Sequence, residues 1–166
     1  RDGSSMPNQT HIRCPAISDT CELSIEFDRL RFAGPDRDEE LRFAFIQKQD
    51  HVTSVVADVA ILRSEENEIL IAGRSLGEDT TITKPIVLSD SPQLNGAITV
   101  RLSADLNACN YKIGIRGPTD TVFKTVGTGN MEADQTINGI RMETLNDLSD
   151  PGEFVGIESI ELSTSP

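Results

Sequence analysis

The 166-residue sequence contains no tryptophan, one tyrosine and six phenylalanines, so aromatic residues make up only 4% of the chain. Proteins that bind crystalline polysaccharide surfaces stack sugar rings on flat aromatic side chains, and this sequence offers few of them. No apolar run approaches the roughly 20 residues that a membrane-spanning helix needs. The composition therefore disfavours both a binder of crystalline polysaccharide and insertion of the chain into a membrane.

The motifs of several common catalytic and metal sites are also missing. No Gly-x-Ser-x-Gly segment is present, so the strand-to-helix serine nucleophile is not supported. Gly127-Thr128-Gly129 is the one phosphate-loop candidate, but the lysine and helix of such a loop do not follow, and we interpret Gly127–Met131 as a plain loop. Three cysteines with only His11 and His51 lack the paired spacing of a zinc site.

The charge balance is strongly acidic, with 15 Lys and Arg against 27 Asp and Glu and a formal net charge of -12. An acidic surface repels phosphate backbones, so we do not expect nucleic acid as a partner. The acidity suits calcium, neutral polar ligands or solubility alone. A strongly anionic polysaccharide would need a local basic patch, and the sequence shows none.

Cysteine placement leads to an expectation about the compartment. Cys14 and Cys21 flank a short polar stretch, and we predict a disulfide between them, which implies an oxidising environment and a secreted or cell-surface protein. Cys109 is then left over and is predicted to be a buried filler on a strand. Because Arg1 is not an initiator methionine, we expect the chain to belong to a longer protein with neighbouring domains.

Helix signals are nearly absent, and short segments alternate apolar and polar residues with a period of two. Ser54–Arg63 is apolar on both faces, which indicates a central strand, and Asn95-Gly96 is a tight-turn signal. Thr121–Val126 is a further strand candidate, followed by a loop at Gly127–Asp134. The alternation is clearest at residues 23–27, 41–45, 98–102 and 109–115.

About ten strand candidates without a repeated period or linker are typical of one antiparallel sandwich or barrel. We therefore predict an all-β fold, a two-sheet antiparallel β-sandwich of the jelly-roll type. The predicted domain spans residues 21–166 and follows an irregular N-terminal arm at residues 1–20.

Three segments of the C-terminal half carry a resemblance to a known family. They are "ITVRLSADLNACNYKIGIR" (Ile98–Arg116), "INGIRMETL" (Ile137–Leu145) and "EFVGIESIEL" (Glu153–Leu162). Over residues 96–163 the sequence resembles concanavalin-like, laminin-G-type jelly rolls of bacterial polysaccharide-active proteins. The resemblance implies a carbohydrate-facing role, in binding or catalysis, for an exported protein.

The resemblance also implies a metal site. Calcium-bearing jelly rolls take carboxylate ligands from the first and last strands together, and the positions that correspond here are Glu22, Glu26 and Glu158. Glu158 stands where the family often has Asp. Structural Ca²⁺ is therefore an expected cofactor, and solvated surface carboxylates are the alternative.

A glycan or other polysaccharide is the expected ligand, with Tyr111, Arg116 and Arg141 as the candidate binding residues. Tyr111 has the same strand parity as Ile113 and Ile115, so a core role with its hydroxyl bonded to a partner is the alternative for this side chain.

A catalytic alternative depends on a second likeness. Arg63-Ser64-Glu65, Gln49-Asp50-His51 and Tyr111-Lys112-Ile113-Gly114 resemble motifs of alginate-lyase-like jelly rolls, but in a different order, and Asp50 would repel a uronate. We therefore favour a non-catalytic carbohydrate-associated module, either glycan-binding or accessory. A structural or adhesion module without a sugar site is the alternative, and a small polysaccharide lyase comes third.

Overall fold

The structure, a computed structural model, describes residues 8–32, 40–74, 86–90, 93–145 and 154–165. Within these residues the regular structure consists of strands, and no helix could cross a membrane. In chain order the strands are β1 (Asn8–Ile17), β2 (Thr20–Arg31), β3 (Glu40–Gln49), β4 (Val52–Arg63), β5 (Ile69–Arg74), β6 (Ile86–Ser89), β7 (Gln93–Asp105), β8 (Asn110–Arg116), β9 (Lys124–Asn130), β10 (Ile137–Leu145) and β11 (Phe154–Ser165).

The strands form two antiparallel sheets. The six-stranded sheet has the order β1-β10-β3-β4-β5-β6, and the five-stranded sheet has the order β11-β2-β7-β8-β9. Strands from the two ends of the described chain lie side by side, since β1 pairs with β10 and β2 pairs with β11. This arrangement confirms the prediction of a two-sheet antiparallel sandwich.

The core lies between the sheets and is built from the alternating positions of their strands. Leu23, Ile25 and Phe27 of β2 are buried against Phe43 and Phe45 of β3, and the rings of Phe27 and Phe43 meet edge to face with centroids 5.7 Å apart. Full burial of such a side chain is worth about 1.5–3 kcal/mol, so the period-two pattern fixes which face of each strand turns inward.

The irregular N-terminal arm is a wrong prediction for residues 8–17. These residues form β1, an edge strand that pairs with β10 from Asn8 opposite Thr144 to Arg13 opposite Gly139. Pro15 lies in the irregularity between Arg13 and Ile17, where the ladder is interrupted and a missing N–H costs nothing. Residues 1–7 lie outside the described residues.

Two glycine-containing segments also differ from their predictions. Asn95-Gly96 lies inside β7, where Asn95 pairs with Arg29 of β2. Gly96 and Ala97 then form a bulge, because Asp28 alone faces both of them, and Gly96 adopts a φ of 105° there. Gly127–Asn130 belongs to β9 and pairs with β8, so the predicted loop begins only after this strand.

The predicted Cys14–Cys21 disulfide is wrong, since Cys14, Cys21 and Cys109 are all free thiols. Cys21 points into the core and is only 1% exposed, and burial, with smaller contributions from Cys14 and Glu22, raises its pKa to about 12. Cys109 is half-buried in the turn before β8, with φ of 52°, and so is neither on a strand nor fully buried. Because the three cysteines are free thiols, they give no support to the expectation of an oxidising compartment.

Candidate functional site

Five charged side chains gather on the outer face of the six-stranded sheet, and we call them the charged cluster: Glu40 and Arg42 of β3, Asp58 of β4, and Arg141 and Glu143 of β10. They alternate with core residues along each strand, so the same period that buries the core turns them outward. Across the strands, Arg42 is paired with Glu143, and Ala44 has Arg141 and Asp58 as its two partners.

Arg42 lies at the centre of the charged cluster. Its Nη2 and Nε donate to Oε1 of Glu40 at 2.6 Å and 3.0 Å, and its Nε lies 3.6 Å from Oδ2 of Asp58. Burial alone would lower the pKa of Arg42, but the hydrogen bond and charge of Glu40 and the charge of Asp58 outweigh it and raise the pKa. The Asp58 side chain is only 2% exposed, so the guanidinium compensates a desolvated carboxylate.

Arg141 and Glu143 form the second pair of the cluster. Nε of Arg141 lies 3.3 Å from Oε2 of Glu143, and Nε2 of Gln9 donates to Oε1 of Glu143 at 3.2 Å. The ion pair is close but poorly aligned, because the same Nε and Oε2 atoms are buried without a hydrogen-bond partner among the described residues. One donor and one acceptor of this pair therefore have unused hydrogen-bonding capacity.

A cavity of about 330 Å³ adjoins the charged cluster on the same face. Its basic lining residues are His11, Arg13 and Lys48, and His11 is the cross-strand partner of Arg141. Gly139 helps to keep the cavity open, because a Cβ atom there would lie 3.0 Å from Cγ1 of Ile46. The outer face thus combines a charge-paired centre with a more basic end.

The structure separates the three ligand-binding residues that the sequence suggested. Arg141 belongs to the charged cluster, whereas Arg116 ends β8 in the opposite sheet. Tyr111 is 0% exposed in the core, and burial, followed by the charge of Asp58, raises its pKa to about 12. A ligand on the outside of the sandwich cannot reach the Tyr111 ring, so the core alternative describes this side chain.

The three glutamates named for calcium are not assembled into a site. Oε2 of Glu22 lies 3.6 Å from Nη1 of Arg101, and Oε1 of Glu22 accepts a hydrogen bond from Ser103. Glu158 lies in a bulge of β11, beside the position that pairs with Glu26. Among the described residues no group of three His, Cys, Asp or Glu side chains could hold a metal ion. Calcium binding itself stays a prediction.

The lyase-like motifs do not meet either. His51 belongs to the turn before β4, and Arg63 ends β4 and donates to Asn67, so the two lie roughly 40 Å apart along the strand at 3.3 Å per residue. The Tyr111 hydroxyl, which would donate the proton, is buried between the sheets. The three motifs therefore form no common site.

Sequence reasoning singled out Arg141 but missed the other four members of the cluster, Glu40, Arg42, Asp58 and Glu143. One indication was available, because Asp58 interrupts the apolar segment of β4 and a charge buried in such a strand needs a partner. The partner could not be named, because it depends on how β3 and β4 are aligned.

No family model matches this sequence, and no curated protein does. Several solved structures are similar. Sheep galectin-11, solved in complex with glycerol, has a TM-score of 0.52 at 8% identity, covering 95% of this chain and 97% of that one. The CBM2 module of the evolved Dit protein of Lactobacillus casei BL23 phage J-1 has a TM-score of 0.61 at 9% identity, covering 87% of this chain and 61% of that one.

An alginate lyase from Pseudomonas aeruginosa has a TM-score of 0.59 at 9% identity, covering 89% of this chain and 66% of that one. Identities this low show a shared fold and nothing more. The chain therefore has the two-sheet antiparallel jelly-roll fold of galectin-like and concanavalin-like proteins.

Proposed function

We propose that this chain is a non-catalytic glycan-binding or accessory module of a secreted or cell-surface protein, and that the sugar lies on the charged cluster. The observation that carries the proposal is the arrangement of Arg42 beside Glu40 and of Arg141 beside Glu143 on one outward face. Strong hydrogen-bond donors and acceptors alternate there at spacings of a few ångströms.

The chemistry of this face suits a sugar. Each sugar hydroxyl donates one hydrogen bond and accepts others, so it can bridge a guanidinium and a neighbouring carboxylate. Because two arginines face three carboxylates in the cluster, the charges nearly cancel, which favours an uncharged polyol over an ion.

The similar folds supply a second line of support. They include a galectin solved in complex with glycerol, a polyol, a CBM2 module, and a legume lectin-like domain from Entamoeba histolytica with a TM-score of 0.57 at 8% identity. We infer that the present chain uses the same sandwich to present a polar face to a glycan. A sheet face is rigid, so it can hold several polar groups in fixed positions.

The test is a glycan array followed by titration calorimetry with the best neutral ligand. Arg141→Lys keeps the charge but loses the planar donor fork, so we expect binding to weaken by about tenfold or more. The matched control is Arg29→Lys, the same change at an arginine of the other sheet whose side chain is 66% exposed, and it should leave affinity unchanged.

Thermal melts of both variants show that each remains folded. Equal affinities for Arg141→Lys and wild type would place the ligand elsewhere. An array without any bound glycan would contradict the proposal and favour the structural or adhesion alternative.

A further inference from the structure

The outer face of the five-stranded sheet carries a second organised group of side chains, made by Arg101, Phe123 and Arg116. The guanidinium carbon of Arg101 lies 3.6 Å from the centroid of the Phe123 ring, and that of Arg116 lies 4.7 Å from it. The ring rests over Gly114, where an added Cβ would come within 3.4 Å of Phe123. The ring of Phe123 therefore packs closely over the backbone at Gly114.

The two arginines differ in their other partners. Nε of Arg101 donates to Oγ of Ser24 at 3.2 Å, and its Nη1 lies 3.6 Å from Oε2 of Glu22. Arg116 has no carboxylate within 4.0 Å among the described residues. Lys112 occupies the position on β8 two residues before Gly114, so it lies on the same face.

The surroundings of the Phe123 ring are therefore locally basic, although Glu22 and Glu26 of β2 lie on the same face and the net charge of the chain is -12. Two guanidinium groups held against one ring repel each other, and the cation–π contacts offset only part of that repulsion. An anion bound beside them would reduce this repulsion and fill the open donor positions of Arg116. The planar fork of a guanidinium matches the two oxygens of a carboxylate.

We propose that Arg101, Phe123 and Arg116 form a second binding site, separate from the charged cluster, that takes the carboxylate of an acidic sugar. The Phe123 ring holds the two guanidinium groups in place. The carboxylate of Glu22 competes with the bound ligand, because it occupies one side of the Arg101 guanidinium. The choice of a sugar acid as the source of the carboxylate rests on the proposed function of the module.

The experiment uses an oligo-uronate of defined length and the same oligosaccharide with its carboxyl groups reduced to alcohols, both titrated into the whole chain. Wild-type protein should bind the uronate and bind the reduced form at least about tenfold more weakly, because charge-assisted hydrogen bonds are lost. Arg116→Ala should weaken uronate binding by about tenfold or more.

Lys112→Ala is the matched control, because it removes the same charge from the same strand and face. Long-range attraction is screened at physiological salt, so this variant should stay within about threefold of wild type. Equal losses for Arg116→Ala and Lys112→Ala would show a diffuse charge effect and overturn the proposal. Unchanged binding by Arg116→Ala would overturn it as well.

Glu22→Gln gives a test by gain of binding, since removing the competing carboxylate should tighten uronate binding by about threefold to tenfold. Phe123→Leu should weaken uronate binding, because the guanidinium groups of Arg101 and Arg116 lose the aromatic ring against which they are held. Weaker binding by Glu22→Gln would contradict the assigned role of Glu22. Binding of poly-glutamate as tight as that of the uronate would overturn the choice of a sugar acid.

The Arg141→Lys variant separates this site from the proposed function. Uronate binding that survives Arg141→Lys supports a second site on the five-stranded sheet. Loss of uronate binding in that variant would assign the acid to the charged cluster, which overturns the second site and leaves the proposed function in place.

Discussion

The ring of Tyr111 lies against the backbone of Gly129, its cross-strand partner in β9, and fills the space that a side chain at position 129 would need. The contact explains how the one tyrosine of the chain is completely buried next to an edge strand. A large ring and an absent side chain are thus complementary across two neighbouring strands.

This contact predicts the effect of Gly129→Ala. The added methyl group would overlap the Tyr111 ring, and because the ring is enclosed by the core, the strand or the ring must shift, at a cost of about 1–3 kcal/mol. Urea unfolding gives the free energy. Thr128→Ala, one residue away on the exposed side of β9, should change it by less than about 0.5 kcal/mol. Equal effects of the two variants would contradict the contact.

The Tyr111 hydroxyl predicts a stabilising substitution. Its oxygen is buried without a hydrogen-bond partner among the described residues, and an unsatisfied buried polar group costs about 1–3 kcal/mol. Tyr111→Phe keeps the ring and removes the hydroxyl, so the free energy of unfolding should rise by about 1 kcal/mol or more. A decrease in the same urea experiment would reveal a partner for the hydroxyl, such as a buried water molecule.

Stability should fall at alkaline pH for two reasons. Burial raises the pKa of Cys21 from 9.0 to about 12 and, with a smaller contribution from Asp58, raises that of Tyr111 from 10.0 to about 12. Above the unfolded pKa the unfolded chain loses a proton that the folded chain keeps, so unfolding becomes more favourable as pH rises. Each group contributes up to about 1.4 kcal/mol per pH unit within its window.

Urea unfolding between pH 8 and pH 11 measures this slope. Cys21→Ala should reduce the slope from about pH 9 upward, and Tyr111→Phe should reduce it only above about pH 10. Identical slopes in wild type and both variants would assign the loss of stability to other groups.

Replacing Arg42 should cause a large decrease in the free energy of unfolding. Arg42→Met leaves the carboxylates of Glu40 and Asp58 on a desolvated face without their guanidinium, which should cost about 3–5 kcal/mol. Adding Glu40→Gln to this variant should recover part of the loss, because one of the two carboxylates that faced Arg42 is then neutral. Arg29→Met, at an arginine whose side chain is 66% exposed, is the control and should cost less than about 0.5 kcal/mol by chemical denaturation.

The β3–β4 hairpin offers a stabilising change. Asp50 and His51 form its two-residue turn with φ of 48° and 69°, a conformation that side chains with a Cβ atom resist. Replacing the pair by Asn-Gly should raise the free energy of unfolding by about 1 kcal/mol, because glycine adopts positive φ without strain. The reversed order, Gly-Asn, keeps an asparagine at the more positive φ and should gain less in the same measurement.

The alternation of Leu23, Ile25 and Phe27 was enough to predict a strand and its buried face, because burial depends on the period within one segment. Turn chemistry was less reliable. The Asn95-Gly96 dipeptide lies inside β7 next to a bulge, while the real two-residue turn is the less typical Asp50-His51. The preference of residues such as asparagine and glycine indicates where a positive φ is tolerated. It does not indicate whether the chain turns there or continues as a strand with a bulge.

The charged cluster was harder to predict for a different reason. Arg42 meets Glu143 only because β3 pairs with β10, roughly one hundred residues later in the chain, in one particular register. A shift of one residue would turn Arg42 inward and Phe43 outward. The site is therefore a property of long-range strand alignment, which a single sequence does not reveal.

The joining of early and late strands has a consequence for the order of folding. Gln9 pairs with Glu143 and Thr20 pairs with Ser165, so neither sheet is complete until the last two described strands have been synthesised. During translation the backbone groups of β1 and β2 that later bond to β10 and β11 stay unpaired. Loops longer than one hundred residues must close before these groups are paired. Both sheets are thus completed late, and the interval before their completion is when the nascent chain is most exposed to aggregation.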